Sequence, residues 1–320
     1  MLHSHHHLRL LVFIAVIALI YITEIRDISE EDEDIKDYKA VLNWRVSKLK
    51  DVCRKHQHQM TVQHSSLYHR QEQINKCTTS FFTVDGKNHM ICNVLKGGST
   101  SWKMFFDQMR IPAILLADCK PGECSRTPQL RIVQVRHPME RLLSTWRHLF
   151  KNGGWRSLDH TFRNYPSVQK QYETLYSNIS WPVFVQELVL GDKFHKTEEE
   201  MEDIEGGGVW IKHHWAPYWY TCGLCREDLV PDLILKTETL HLDIPAIIQR
   251  MNLPNTGGFP DIRTTGIEDN FDEGNNPTEV FLQKYFSMIT KTQVMELYNM
   301  YRLDHLIFNY SPQKYMDIAQ

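Results

Sequence analysis

Two segments that pass from the period of a β-strand to that of an α-helix within a few residues constrain the fold of this chain most. In the first, the apolar run from Met90 to Leu95 is followed by small residues and then by apolar residues at helical spacing. In the second, the apolar run from Leu130 to Val135 leads into Pro138, and proline favours the first position of a helix. Strands that alternate with helices predict an α/β fold, with an open parallel sheet flanked by helices.

Further segments extend this pattern. We predict a third strand at Leu233–Lys236. Helices are predicted at Thr100–Met109, Pro138–Phe150, Trp181–Leu190, Leu240–Met251 and Pro277–Tyr301. The last helix is expected to break near Thr290, because Thr290 and Gln293 have the spacing of a capping box.

The composition is that of an ordinary globular domain. Of the 320 residues, 42% are hydrophobic and 23% are charged, which disfavours intrinsic disorder and a multi-span membrane protein. The formal net charge of −3 argues against a nucleic-acid-binding protein, since such proteins are usually basic overall. An anionic ligand would therefore need a local cationic site.

The N-terminus carries an unbroken apolar run from Leu10 to Ile22, preceded by Arg9 and followed by an acidic stretch. This charge asymmetry favours a signal anchor with its N-terminus in the cytosol. A cleaved signal peptide and a buried core helix are the alternatives, and the first of these would also deliver the chain to the secretory lumen. We predict a cytoplasmic tail at 1–9, a transmembrane helix at 10–23, a lumenal stem at 24–80 and a single lumenal domain at 81–320.

Within the predicted stem, residues 38–76 are basic, in contrast to the acidic residues before them. A charged helix that spaces the domain from the membrane is our interpretation. A patch for a polyanionic substrate is the alternative.

Seven cysteines suit an oxidising compartment. Cys222 and Cys225 have the spacing of zinc ligands, but we favour disulfides and leave their pairing open. Cys92 lies within an apolar strand pattern and is predicted to stay reduced. Two N-glycosylation triplets, at Asn178 and Asn309, agree with a lumenal location.

The first candidate site is the small-residue loop from Lys96 to Ser101, which comprises Lys96, Gly97, Gly98, Ser99, Thr100 and Ser101. A strand, such a loop and a helix together aim backbone N–H groups at one point, which suits a phosphate or a sulfate. The order of residues is not that of a Walker A motif, because the lysine precedes the glycines. A plain Gly-Gly turn before a helix cap has the same pattern and stays open.

The second candidate site begins at Arg136, where a predicted strand ends and a helix begins. This is the edge at which open parallel sheets bind ligands. Arg141 and Ser144 lie off the apolar face of the helix, so a guanidinium and a hydroxyl could close on a phosphate. Alternatively, Arg136 caps a helix or pairs with a carboxylate.

These two segments resemble the donor-binding signatures of Golgi carbohydrate sulfotransferases, in particular the group with the chondroitin 4-O-sulfotransferases and the natural-killer-epitope sulfotransferase. The matching residues are Lys96, Thr100, Trp102 and Lys103 in the first segment, and Arg136, Pro138, Glu140, Arg141, Leu142 and Ser144 in the second. Later blocks agree in order, namely His214-Trp215 with Pro217, Cys222 and Cys225, then Leu235 to Glu238, Tyr285-Phe286, Leu297-Tyr298, Tyr301-Arg302 and Asp304.

The chain departs from that pattern at three places. Leu95 replaces a proline, Gly97, Gly98 and Ser99 replace bulkier residues, and His137 replaces an acid. Gly98 and Ser99 still permit close approach of the backbone to an anion.

The resemblance implies a P-loop-like fold and the donor 3′-phosphoadenosine 5′-phosphosulfate, with no metal required. The loop Leu95 to Ser101 would hold the 5′-phosphosulfate, and Arg136 and Ser144 would hold the 3′-phosphate. The remaining donor-binding positions would be His137, Pro138, Met139, Glu140, Arg141, Leu142 and Leu143. Lys96 would stabilise the charge that develops during transfer. The general base stays open among His137, His214, Glu140 and Glu123, and the two histidines are taken as candidate catalytic residues.

The implied activity is that of a type II Golgi-membrane enzyme whose lumenal domain sulfates a hydroxyl of a chondroitin-like glycosaminoglycan or a glycoprotein glycan. Its expected partners are the glycan or proteoglycan acceptor and the Golgi membrane, without nucleic acid, and a homo-oligomer stays open. One alternative is a nucleotide-dependent kinase, although no clear Walker B pattern follows the predicted strands. The other is a glycan-binding relative without turnover.

Overall fold

The computed structural model describes residues 38–57, 79–115, 127–151, 179–191, 214–252 and 281–320. Its centre is a five-stranded sheet with the strand order β3-β1-β2-β4-β5. The strands are β1 (Thr79–Val84), β2 (Lys87–Cys92), β3 (Ala113–Leu115), β4 (Leu130–Val135) and β5 (Leu233–Lys236).

The sheet is open, as predicted, but it is mixed and not entirely parallel. Strands β2, β4 and β5 are parallel, whereas β1 is antiparallel to both β2 and β3. The cause is a two-residue turn at Asp85 and Gly86, whose φ angles are 49° and 73°. Such a turn joins neighbouring strands as a hairpin. The Asp-Gly pair is visible in the sequence, so this hairpin could have been predicted.

Helices surround the sheet. They are α1 (residues 38–57), α2 (Ser99–Met109), α3 (Pro138–Trp146, continued by a π-helix at Arg147–Lys151), α4 (Trp181–Val183, continued by a π-helix at Phe184–Leu190), α5 (Tyr218–Thr221), α6 (Leu240–Met251), α7 (Leu282–Phe286), α8 (Lys291–Met300), α9 (Arg302–Phe308) and α10 (Gln313–Ile318). The predicted break is confirmed, because the capping box of Thr290 and Gln293 begins α8. Strand β2 ends at Cys92, earlier than the predicted Leu95.

The core lies on both faces of the sheet. Ile132 packs on one face with Trp102 of α2, in a cluster that also includes residues of α6. Val133 packs on the other face with Tyr218 of α5 and residues of α9. This alternation follows the two-residue period of a strand. A third cluster joins α3, α4, α7, α8 and α10 around residues such as Trp181.

Helix α1 belongs to this folded unit, although its residues were predicted to form part of a spacing stem. Leu42 lies in the cluster on the α2 face, and Leu49 and Val52 lie in the cluster on the α5 face. A helix that contributes to both clusters passes an edge of the sheet, and the hydrogen bond from Arg45 to the carbonyl of Ile234 places α1 at the β5 edge. Residues 38–57 therefore pack as part of the folded unit.

Two disulfides join distant parts of the chain, Cys53–Cys225 and Cys92–Cys222. The expectation of disulfides at Cys222 and Cys225 is confirmed, whereas the prediction that Cys92 stays reduced is wrong. Cys92 is the last residue of β2 and packs in the same cluster as Cys222, which follows α5. Cys77, Cys119, Cys124 and Asn178 lie outside the described residues.

Among the described residues, no helix is long and apolar enough to span a membrane. The predicted anchor at 10–23 lies outside them. In the same described ranges, no group of three or more His, Cys, Asp or Glu side chains could hold a metal ion.

Candidate active site

The predicted strand, loop and helix of the first candidate site are present. After β2 the chain turns sharply, and the N–H of Gly97 donates to the carbonyl of Val94 at 2.9 Å. Lys96 and Gly98 both adopt the left-handed region, with φ of 63° and 119°. Helix α2 then begins with Ser99, Thr100 and Ser101. The first N–H groups of a helix lack an acceptor within the helix, so this end favours an anion.

The two glycines make room for protein groups beside them. A Cβ atom at Gly98 would collide with Nε2 of Gln134, and one at Gly97 would lie 2.8 Å from the hydroxyl oxygen of Tyr218. Gln134 is buried, and its Oε1 accepts the indole N–H of Trp102 at 2.6 Å. Gly98 therefore meets a packing requirement at Gln134.

Arg136 follows β4 at the same edge of the sheet. Its N–H donates to the hydroxyl oxygen of Tyr218 at 3.0 Å, and its Nη2 lies 3.6 Å from Oε2 of Glu140. Because Tyr218 contacts both Gly97 and Arg136, the two predicted sites adjoin. Burial raises the pKa of Tyr218 to about 12, so this hydroxyl stays protonated.

Arg141 links the loop to helix α5. Its side chain is buried, and its Nε donates to the carbonyl of Leu95 at 3.0 Å. Nη1 donates to the carbonyl of Ala216 at 2.6 Å, and the guanidinium lies 4.5 Å from the ring centre of Tyr218. Arg141 thus fixes the start of the loop to the α5 region.

Most other predicted donor-binding residues of α3 are buried. Pro138, Met139, Leu142 and Leu143 lie in the interior of the protein. Glu140 is buried as well, and its Oε1 accepts the hydroxyl proton of Tyr315 at 3.0 Å. Ser144 is half-buried on the same helix.

His137 is an N-cap of α3. Its Nδ1 accepts the N–H of Met139 at 3.2 Å, so Nε2 carries the proton and donates to the carbonyl of Ser311 at 3.1 Å. Burial, with His305 nearby, lowers the pKa of His137 to about 3. Both ring nitrogens are therefore engaged, which argues against His137 as the general base.

Two of the other three candidate bases, His214 and Glu140, lie within the described residues. His214 is buried, and its carbonyl accepts the hydroxyl proton of Thr145 at 2.8 Å. Glu140 lies close to Arg136 and Tyr315, as described above. Glu123 is outside the described residues.

Two residues after β5 belong to this edge although their roles were not predicted. The hydroxyl of Thr237 shares its proton between the carbonyls of Gly97 at 3.3 Å and Val135 at 3.2 Å. Oε1 of Glu238 accepts the N–H of His137 at 2.7 Å, and Oε2 accepts the hydroxyl proton of Tyr310 at 2.9 Å. Their place after a third predicted parallel strand is the signal that could have identified them.

Asp304 holds helix α5 in place. Its two carboxylate oxygens accept the N–H groups of Tyr218 at 2.7 Å and Trp219 at 2.9 Å. Burial raises the pKa of Asp304 to about 7, and the two N–H bonds and Arg141 oppose that rise. The carboxylate thereby positions Tyr218 between the two halves of the site.

Sequence comparisons relate this chain to a known family. A sequence model of the sulfotransferase family matches residues 117–311, which include Arg136, Tyr218 and Asp304. The chain belongs to the sulfotransferase family. The matched range starts after the loop at Lys96, so the family match does not include that loop.

The sulfotransferase-family protein is similar over most of its length to curated proteins. Carbohydrate sulfotransferase 9 of Homo sapiens is 23% identical over 316 residues, which cover 88% of this chain and 62% of that protein. Carbohydrate sulfotransferase 11 of Mus musculus is 24% identical, with 73% and 68% covered. Carbohydrate sulfotransferase 10 of Danio rerio is 27% identical, with 72% and 66% covered. The chain thus spans about three fifths of the human relative's length. No solved structure matches it significantly.

Proposed function

We propose that this protein transfers a sulfuryl group from 3′-phosphoadenosine 5′-phosphosulfate to a hydroxyl of a glycan. The observation that carries the proposal is the adjacency of the loop at Lys96 and the turn at Arg136, both of which adjoin the hydroxyl of Tyr218. Curated relatives named as carbohydrate sulfotransferases support the class of acceptor.

The residues at this edge fit a donor that carries an anionic group at each of its two ends. Lys96 and the start of α2 would hold the 5′-phosphosulfate, because a cation and helix-end N–H groups both favour an anion. Arg136 and Ser144 would hold the 3′-phosphate, since a guanidinium and a hydroxyl are suited to phosphate oxygens. The bound donor would supply the sulfuryl group and a phosphate leaving group.

Lys96 has the main electrostatic role in this proposal. Negative charge grows on the leaving-group side during transfer, and preorganised cations and N–H groups stabilise such charge. His137 anchors the turn of Arg136 through its two ring hydrogen bonds instead of accepting the acceptor's proton. Glu238 holds the same turn from β5.

We further propose that the domain lies in the Golgi lumen behind an N-terminal type II anchor. The two disulfides support an oxidising compartment. Asn309, the described glycosylation candidate, is exposed at the end of α9. A chondroitin-like glycosaminoglycan or a glycoprotein glycan is the proposed acceptor.

The decisive experiment incubates the purified lumenal part with donor that carries radiolabelled sulfate and with a panel of desulfated glycans. We expect label in at least one glycan. Donor that binds without any transfer would support the glycan-binding alternative, and an absence of both binding and transfer would overturn the proposal.

Two substitutions assign the halves of the site. Lys96→Ala should lower kcat by about 100-fold or more, because its charge acts in the transition state. Arg136→Ala should instead weaken binding of adenosine 3′,5′-bisphosphate, measured by calorimetry. Lys87→Ala is the matched control, because Lys87 is exposed at the opposite end of β2. Unchanged kcat in the first variant, or unchanged affinity in the second, contradicts the corresponding assignment.

A further inference from the structure

Helix α1 reaches the candidate site through one buried side chain. Arg45 is 5% exposed, and its Nη1 donates to the carbonyl of Ile234 in the edge strand β5 at 2.9 Å. The same nitrogen donates to Oδ1 of Asp243 in α6 at 2.8 Å. Asp243 is fully buried. The pair therefore joins α1 to both ends of the connection between β5 and α6.

The rest of the guanidinium binds the connection itself. Nη2 of Arg45 donates to the hydroxyl oxygens of Tyr38 and Thr239, each at 3.0 Å. Oδ2 of Asp243 accepts the N–H of Lys236 at 2.8 Å and the hydroxyl proton of Thr239 at 3.1 Å. The backbone at residues 236–239 is thereby held from both sides.

This short connection also carries the residues that hold the candidate site. Thr237 donates to the carbonyl of Gly97 in the loop, and Glu238 accepts the N–H of His137 beside Arg136. The network thus runs from Arg45 through the 236–239 connection to both predicted halves of the site. Arg45 lies on a segment predicted to be a stem and far in sequence from all of them.

We propose that Arg45 is a positioning residue for the donor site. The inference rests on the proposed function for the identity of the ligand, but the network itself does not depend on it. Arg45 holds the 236–239 connection in the position from which Thr237 bonds to the loop and Glu238 bonds to the Arg136 turn. Helix α1 is therefore part of the catalytic unit.

Arginine is required here for a geometric reason. The planar guanidinium presents several donors in a fixed arrangement and satisfies four acceptors at once. A lysine could keep the charge opposite Asp243 but could not reach the same set. Arg45→Lys thus separates the charge of Arg45 from its positioning role, whereas Arg45→Ala would leave the charge of Asp243 buried and unpaired.

The test uses the whole lumenal chain from residue 24 onward. We expect Arg45→Lys to keep a cooperative thermal unfolding transition and to weaken binding of adenosine 3′,5′-bisphosphate by about 10-fold or more, with a fall in kcat. Hydrogen–deuterium exchange should become faster at residues 95–98 and 136–138. Arg54→Ala is the matched control, because Arg54 lies on the same helix but is exposed, and its guanidinium forms an ion pair with Asp51. It should leave affinity and exchange unchanged.

Each outcome has a defined meaning. A folded Arg45→Lys variant with wild-type exchange in both segments overturns the positioning role. Suppose that exchange is faster in both segments of Arg45→Lys but that the wild type binds no donor. That result supports the network and overturns the proposed function instead. If Arg45→Lys does not fold, Thr239→Val decides, since it removes one acceptor of Arg45 and keeps the charged pair. Thr239→Val should show smaller changes in the same direction, both in affinity and in exchange. If its exchange and affinity equal those of the wild type, the proposal is overturned.

Discussion

Gln134 lies beneath the loop between β2 and α2, and its amide occupies the space that a side chain at Gly98 would need. Its other neighbours are the indole of Trp102 and the hydroxyl of Thr237. A glutamine within an apolar strand has no evident role in the sequence, because its partners come from two distant segments, the start of α2 and the chain after β5. The loop therefore depends on a residue that neither predicted signature contains.

Gly98→Ala should lower the free energy of unfolding by about 2–4 kcal/mol, since it adds a left-handed non-glycine residue and a collision with Gln134. Urea unfolding measures the loss. The control is Gly86→Ala, because Gly86 also has a positive φ but has no atom within 4 Å of the added Cβ. We expect about 1 kcal/mol there, from backbone strain alone. Equal losses in the two variants would contradict the packing role of Gln134.

His137 should make stability depend on pH. Its pKa is about 3 in the folded protein and near the ordinary 6.5 in the unfolded chain, so the unfolded state binds the proton first as pH falls. The contribution of His137 to the free energy of unfolding is complete above pH 6.5. It is lost as the pH falls towards 3, at up to about 1.4 kcal/mol per pH unit. His305, with a pKa lowered to about 4 by burial, adds to it.

The variant His137→Asn tests this dependence, because asparagine can still cap α3 but does not titrate. Urea unfolding from pH 7 to pH 4 should give a shallower fall in stability than in the wild type. His241→Asn is the control, since His241 is exposed and should leave the slope unchanged. A wild-type slope in His137→Asn would contradict the neutral, buried state of this histidine.

At the scale of elements, the four-residue helix α5 illustrates how the site is supported. A helix this short forms few hydrogen bonds of its own, so its stability comes from its surroundings. Asp304, at the start of α9, supplies two acceptors to its first N–H groups. Asp304 belongs to one of the later sequence blocks, but its cap is apparent only once α9 is packed against α5.

Asp304→Ala should lower the free energy of unfolding by about 2–4 kcal/mol, because two buried N–H groups lose their acceptor. Chemical denaturation measures the change. Asp317→Ala is the control, since Asp317 is exposed and accepts a hydrogen bond from Gln313 in the same helix. Its effect should stay within about 0.5 kcal/mol. A similarly small effect in Asp304→Ala would show that α5 does not depend on this cap.

Over the whole molecule, the two disulfides connect segments that no local pattern relates. Their partners are separated by 172 and 130 residues. Cys53–Cys225 ties α1 to the chain beyond α5, and Cys92–Cys222 ties the end of β2 to the same region. Both bonds lie on the α5 side of the sheet, close to the supports of Tyr218.

Non-reducing digestion and mass spectrometry should recover linked peptides for Cys53–Cys225 and Cys92–Cys222. Cys53→Ser should then lower the free energy of unfolding by about 2–5 kcal/mol, because its loop is long. Cys92→Ser is the control for the pairing. The linked peptide that contains Cys53 and Cys225 should still be recovered from this variant. A linkage between Cys222 and Cys225 in the wild type would contradict the structure.

By itself, the sequence determined the local elements and their order. The strand, loop and helix at Met90–Met109, the second unit at Leu130, helix α6 and the break before α8 all follow from contacts between residues near in the chain. The same local patterns of strand followed by helix predicted that Lys96 and Arg136 follow neighbouring parallel strands. Short-range periodicity and capping carry this information without knowledge of the fold.

Only the tertiary structure decided which side chains share the edge and what each one does there. Arg141 and His137 became supports, Gln134, Thr237 and Glu238 joined the site, and α1 docked beside β5. The cysteine pairs were decided at the same level. The physical reason is that burial and hydrogen-bond partners over 30 to 200 residues depend on how whole elements pack, which no local pattern encodes.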